Sequence, residues 1–234
     1  SNEVVGFFKP KREYKGVEFQ LDRAWDEKWS FNASYILSWS EGNFEGPVNS
    51  DTGLPWTGFT QHYDNPANNE RYGSLYGDHR HQLKLRGAYA LNDMWSFGAT
   101  LSAVSGGPIT AFGVSWPNDR RVQSTSETSG GGTGWICVSN CGSVPNRVLE
   151  YTERGAFGRL PWLYNLGASV TWTLPVETID LKVRLSVYNV LNRQTVTDVH
   201  SRYEVSPGVY RTTFGQGVAW QDPRYMNLVV TYTF

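Results

Sequence analysis

The strongest constraint on this chain is a strict two-residue alternation, repeated in separate segments and carried to the last residue. Residues 222–234 read DPRYMNLVVTYTF. Met226, Leu228, Val230, Tyr232 and Phe234 form one set. Tyr225, Asn227, Val229, Thr231 and Thr233 form the other, more polar set. A period of two means a strand with two unlike faces. Chain ends are usually frayed and polar, whereas this one finishes on an aromatic. A C-terminal strand of a soluble sandwich shows the same alternation, so this segment alone leaves both readings open.

The same period recurs upstream. It predicts strands over about residues 14–25, 29–40, 79–91, 95–104, 160–174 and 179–191. The clearest is 29–40, where Trp29, Phe31, Ala33, Tyr35, Leu37 and Trp39 alternate with Ser30, Asn32, Ser34, Ile36, Ser38 and Ser40. A helix would scatter those aromatics around its surface. With the terminal strand this gives about seven strands, joined in turn by short and long connections. The long ones run over about 41–77, 105–158 and 192–221 and are rich in Gly, Pro and Asn. Extensions are expected near 195–203 and 209–213. Strict short–long alternation is the habit of a transmembrane barrel, whose turns are short on one side and whose loops are long on the other.

Composition agrees. No run approaches the roughly 18 apolar residues of a membrane helix, and mean hydropathy is −0.45. A transmembrane barrel shows lipid only every second residue, so its average hydropathy looks soluble. Net charge is −1, which gives no support to a nucleic-acid partner. Ten tryptophans are present, and their spacing supplies a ruler. Trp29 and Trp39 share a face ten residues apart, as do Trp162 and Trp172. Ten residues of strand cover about 33 Å, or about 24 Å of height at barrel tilt. An outer-membrane barrel has an apolar band about 25 Å tall with an aromatic girdle at each rim. Trp25, Trp29, Trp95 and Trp172, with Tyr232 or Phe234, are assigned to one girdle. Trp39 and Trp162, near Tyr76, are assigned to the other.

Candidate chemistry is sparse. His79 and His81 could share a strand face, but no further Cys, Asp or Glu completes a metal site. They, His62 and His200 read as rim or surface residues. Asp119, Asp198, His200 and Ser201 sit in predicted loops with no diagnostic catalytic spacing. No catalytic, cofactor or metal residues are assigned, and an enzyme is not expected. Cys137 and Cys141 enclose three residues in a Gly-rich loop. In an oxidising compartment a local disulfide is expected. Arg80, Lys84, Arg86, Lys182 and Arg184, with Glu18 and Asp22, fall on the polar set, as lumen-facing charges. They would hydrate the wall and pair with a lumenal domain, or guide an anionic substrate.

Several phrases resemble the C-terminal third of TonB-dependent outer-membrane transporters. They are YTERGAFGRLPWLYNLGASVTW (151–172), VRLSVYNVLNRQ (183–194), SGGPIT (105–110) and the terminal DPRYMNLVVTYTF. The Tyr188-Asn189-Val190-Leu191-Asn192 phrase is similar to the family's late aromatic-Asn-Leu-Phe-Asn phrase. The subgroup most resembled is the Oar-like one. Asn227, Tyr232 and Phe234 match the C-terminal barrel-assembly signal of outer-membrane proteins, with Val229 where glycine is usual. The resemblance implies an all-β, antiparallel transmembrane β-barrel, of which residues 1–234 are the last seven or so strands of about 22.

The plug domain, the TonB box and earlier strands are then expected outside these residues. The implied function is TonB-dependent movement of a ligand across the outer membrane, the ligand being of siderophore, cobalamin, glycan or peptide class. Implied partners are outer-membrane lipid, the remaining strands and plug in the same or another chain, TonB through the plug, and the barrel-assembly machinery. Long loops would be extracellular, and short turns and the C-terminus periplasmic. Strand one would then descend from the outer side, pairing with a strand upstream rather than with the terminal strand. The alternative is a small structural or adhesion barrel binding a partner through its loops. An even strand count would then require residues 3–8 as a strand.

Expressed without an export signal, the chain is expected to aggregate and to refold only in detergent. A monodisperse β-rich monomer in plain buffer, by size exclusion and circular dichroism, would overturn the membrane reading.

Overall fold

A computed structural model describes residues 11–43, 72–115, 134–143, 146–176 and 179–233. All its extended elements are antiparallel strands: β1 (Arg12–Arg23), β2 (Trp29–Gly42), β3 (Gly73–Ser74), β4 (His81–Ala90), β5 (Trp95–Val104), β6 (Trp135–Ser139), β7 (Val148–Tyr151), β8 (Leu163–Thr173), β9 (Asp180–Tyr188), β10 (Val196–Val199), β11 (Glu204–Ser206), β12 (Val209–Tyr210), β13 (Gly217–Trp220) and β14 (Tyr225–Thr233). The seven predicted strands are β1, β2, β4, β5, β8, β9 and β14, hydrogen-bonded in that order in one sheet, with β3 added beside β2. Among the described residues β1 and β14 are its edges and do not pair with each other. Residues 3–8, proposed for an eighth strand, lie outside the described residues, as does Phe234.

Register decides what this sheet presents. Leu21 faces Ala33, Ala33 faces Leu85, Leu85 faces Leu101, and Leu101 faces Leu166. Nearer the short turns, Trp95 faces Trp172, Trp172 faces Val183, and Val183 faces Val230. One residue along, Asp22, Asn32, Arg86, Thr100 and Gly167 make the matching polar row. A slip of one residue would send every side chain of a strand to the other face. All seven strands keep parity, so one face of the sheet is apolar and the other polar.

Among the described residues nothing covers the apolar face. Leu21 and Leu228 are each 63% exposed, and Phe97, on the mid-sheet strand β5, is 45% exposed. A contiguous exposed apolar patch of this breadth marks a surface that meets lipid or another protein. The fully buried residues, Phe112 and Cys137 among them, lie in the connections instead.

The β1–β2 and β4–β5 connections are set by side chains. Asp26 Oδ1 accepts the Trp29 N–H at 3.0 Å and the Lys28 N–H at 3.3 Å. Asn92 Oδ1 accepts from Trp95 at 2.8 Å and Met94 at 3.1 Å. Both are Asx turns, a geometry that Asp and Asn favour. Strand ends differ from the sequence reading for identifiable reasons. Residues 158–160 pair back to 107–109 rather than starting β8. Strand β9 stops at Tyr188 because Asn189 has φ +48°. Trp25 lies beyond the end of β1, in the first short connection.

Substituting Arg at Ala33, in the mid-height apolar row, should cost about 2–4 kcal/mol in lipid, against about 0–1 kcal/mol for Leu37→Arg near the rim. Unfolding midpoints in lipid vesicles give the comparison. Equal tolerance of Ala33→Arg and Ser34→Arg would show that the two faces are misassigned.

Candidate functional site

The described parts of the long connections gather at one end of the sheet into a cap with a core of its own. Three two-stranded ribbons build it: β6 with β7, β10 with β13, and β11 with β12. The SGGPIT segment enters this cap by close backbone contact. A Cβ on Gly106 would lie 1.7 Å from the Leu160 carbonyl oxygen, so only glycine fits. Phe112 then bridges to Arg202, its N–H donating to Ser201 O at 2.9 Å.

At the centre is Glu204, fully buried at 0% exposure. Its Oε2 accepts the Val114 N–H at 2.9 Å, and its Oε1 accepts the Cys137 N–H at 2.9 Å and the Gly208 N–H at 2.8 Å. The Ser115 hydroxyl donates to the same carboxylate at 2.9 Å. A buried carboxylate is tolerated only when so completely satisfied. Through it one side chain joins the connection after β5, the disulfide ribbon and the third connection. Cys137 and Cys141 are disulfide-bonded. Gly208, with φ +77°, presses on that bond; a Cβ there would sit 2.7 Å from Cys141 Sγ. The Tyr210 hydroxyl donates to Cys137 O at 2.7 Å. Burial first, then Tyr203, Glu204 and Glu150, push its phenol above the ordinary value.

A second buried carboxylate fastens the cap to the sheet. Asp78 accepts the Ser40 N–H at 2.8 Å and the Arg80 Nε–H at 3.0 Å, and it pairs with Arg159. Burial alone would raise its pKa. The Ser40 N–H and the two guanidinium groups outweigh burial and hold it below the ordinary value. That stabilisation is present above the ordinary carboxylate range and is lost as pH falls below it.

The tryptophans assigned to girdles stand in two bands. Trp29, Trp95 and Trp172 occupy the short-turn end of the apolar face, with the Arg23 guanidinium 3.9 Å from the Trp29 ring centre and Trp25 just beyond. Trp39 and Trp162 stand at the cap end. There Phe19, Tyr35, His81, Trp162 and Tyr164 stack successively, at centroid spacings from 5.7 to 6.4 Å. The histidines have separate partners: His81 Nδ1 lies 2.8 Å from the Tyr35 hydroxyl and His79 Nδ1 2.7 Å from Ser105 O. Among the described residues no group of three His, Cys, Asp or Glu could hold a metal. His62 and Asp119 lie outside them. Asp198 Oδ1 accepts the next residue's N–H, and the His200 N–H donates to Gln216 O.

Lys84, Arg86, Lys182 and Arg184 fall on the polar face in β4 and β9. Lys182 pairs with Asp180 and Arg184 donates to Thr171 Oγ1. Arg80 lies just before β4 and is engaged by Asp78 rather than standing in the row. Asn227 is on the polar face of β14, opposite Ser186, and Tyr232 is on the apolar face, opposite Leu181.

The Tyr188–Asn192 phrase has a local geometric meaning. Asn189 and Asn192 both adopt positive φ, which Asn tolerates better than most residues. Asn189 Nδ2 donates to Arg193 O and Asp222 O, each at 2.8 Å, and Asn192 Oδ1 accepts the Arg224 N–H at 3.0 Å. The pair clips the end of β9 to the start of β14. Sequence reasoning passed over Glu204 and Asp78. The only local hint of Glu204 was its place four residues before a turn glycine, and of Asp78 its place beside His79 and Arg80.

A single-layer antiparallel sheet, apolar on one face, polar on the other and capped at one end, defines the wall of an outer-membrane-type β-barrel. Comparison with known proteins agrees. The chain is 26% identical over 200 residues to the TonB-dependent transporter Oar of Myxococcus xanthus, covering 84% of this chain and 17% of Oar. Its fold matches the crystal structure of the ferric-catecholate import receptor Fiu of E. coli K12 in its closed form. That match has a TM-score of 0.50 and 13% identity, over 96% of this chain and 21% of Fiu. The chain thus spans about a fifth or less of each protein. No protein-family model matches it. Sequence and fold likeness together support a portion of a TonB-dependent receptor barrel.

Glu204→Gln keeps the shape but turns an amide N–H₂ toward backbone donors. It should loosen the cap by about 2–3 kcal/mol and leave the sheet intact. Hydrogen exchange should then quicken at Val114, Cys137 and Gly208 and stay unchanged in β4 and β5. Unchanged exchange at those three amides would remove Glu204 from this role.

Proposed function

We propose that this chain supplies part of the wall and outer loops of a TonB-dependent outer-membrane transporter, in which it moves no parts itself. The observation that carries this reading is the uncovered apolar face, matched row by row to a polar face across seven strands. Only a closed barrel satisfies backbone groups in hydrocarbon while offering such a surface. The rest of the barrel and the plug come from sequence beyond these residues. The apolar face meets lipid between the two tryptophan bands, and the polar face with Lys84, Arg86, Lys182 and Arg184 lines the lumen. The cap faces the cell exterior, and the Asp26 and Asn92 turns face the periplasm. Ligand meets the cap and the plug; TonB acts through the plug and opens a path along the lumenal wall.

Single cysteines at Thr212 and Asp93, in the full-length protein, test the topology. A membrane-impermeant maleimide should label position 212 on intact cells and position 93 only after the outer membrane is permeabilised. The full-length protein should also retain the periplasmic domain of TonB in a pull-down. Labelling of both positions on intact cells, or no TonB retention, would overturn the proposal.

A further inference from the structure

The polar face of the sheet ends, at the cap, in a cleft of about 320 Å³ that neither the strand pattern nor the likenesses explain. Its wall on the sheet side is Tyr188 and Tyr225, direct cross-strand partners with ring centres 4.5 Å apart and planes 14° from parallel. Asn165 lies beside them, and Thr197, Trp220 and Asp222 close it from the cap side. Trp220 is 55% exposed.

The chemistry of this lining is selective. Among the described residues it contains no lysine or arginine and one carboxylate, Asp222, so it offers no cation to pair with an anionic ligand. The nearby Arg224 directs Nη1 toward Val190 O at 3.4 Å. The two tyrosine rings stack on one another, which leaves only their outer faces for contact and makes no cage, so the pair does not suit a quaternary ammonium. Polar groups remain for a ligand. Asn165 Oδ1 accepts the Asn189 N–H at 3.3 Å, which leaves its amide nitrogen to donate. Asp222 offers a carboxylate, and Thr197 and the tyrosines offer hydroxyls. A ligand matching this set has an apolar face for the rings, donors and acceptors around its edge, and no negative charge.

We propose that this cleft is a subsite for a neutral saccharide, its ring face laid on the Tyr188–Tyr225 pair or on Trp220 and its hydroxyls held by Asn165, Thr197 and Asp222. The inference rests on the transporter reading only in placing the polar face toward the lumen. The volume is near the lower bound for ligand pockets and fits one or two sugar rings. A strand added beside β14, which is an edge strand among the described residues, would leave the tyrosines facing inward.

The test uses the full-length protein in detergent, with folding checked by heat-modifiable migration. Cellobiose, maltose, lactose, xylobiose and chitobiose are titrated separately, by tryptophan fluorescence and calorimetry. At least one is expected to bind. Tyr225→Ala and Trp220→Ala should each weaken it about tenfold, whereas Tyr188→Phe, which keeps the stack, should change it less than threefold. The proposal falls if folded protein binds none of these sugars, or if binding is indifferent to both alanine variants. It also falls if tetramethylammonium binds at the cleft and the sugars do not. Maleimide topology and TonB retention would be untouched by any of those outcomes, so failure here is separable from failure of the transporter reading.

Discussion

Parity of register is the constraint on which the rest of this structure depends. In hydrocarbon each backbone N–H and C=O must be paired within the protein, and the ladder of seven strands does this strand by strand. Pairing alone would permit several registers. The face pattern permits one, because a single-residue slip in β4 would set Lys84 and Arg86 among Leu21, Ala33 and Leu101. The Asx turns at Asp26 and Asn92 hold that register at one end, and the Asn189–Asn192 clip holds it at the other.

Two kinds of stabilisation therefore meet in one chain. Among the described residues the sheet has no second layer, and its apolar side chains stay exposed. The cap is built like a small water-soluble domain, with Phe112 and Cys137 buried and a carboxylate at its centre. Asp78 joins the two, since its partners come from β2, from the start of β4 and from the connection before β8. Removing charge at Asp78 would weaken one of the links that hold the two systems together.

The wall was legible in the sequence and most of the cap was not. Alternation over nine or more residues, as in β2 or β14, leaves a period that nothing else produces. The cap ribbons are two to five residues long, too short to show a period. They are held by contacts across long sequence separations, such as Glu204 to Val114. A lone glutamate four residues before a turn glycine carries no mark of the four donors that will surround it. The cysteine pair could be read because compartment and spacing suffice; the contact of Gly208 with that bond could not. Arg80 stands one residue before β4, and its pairing with Asp78 is a contact that alternation does not show.

The contrast between the two ends of the sheet bears on how such a molecule diversifies. At Asp26 and Asn92 one side chain spans the whole reversal. An inserted residue there would break the turn and displace the strand that follows. At the other end the connections enter and leave the cap through separate ribbons, and extra length between ribbons leaves the β9–β14 clip untouched. New recognition surfaces can thus be added at one pole of the molecule while the pole opposite stays fixed, and selection can act on what is bound without reopening how the wall is built.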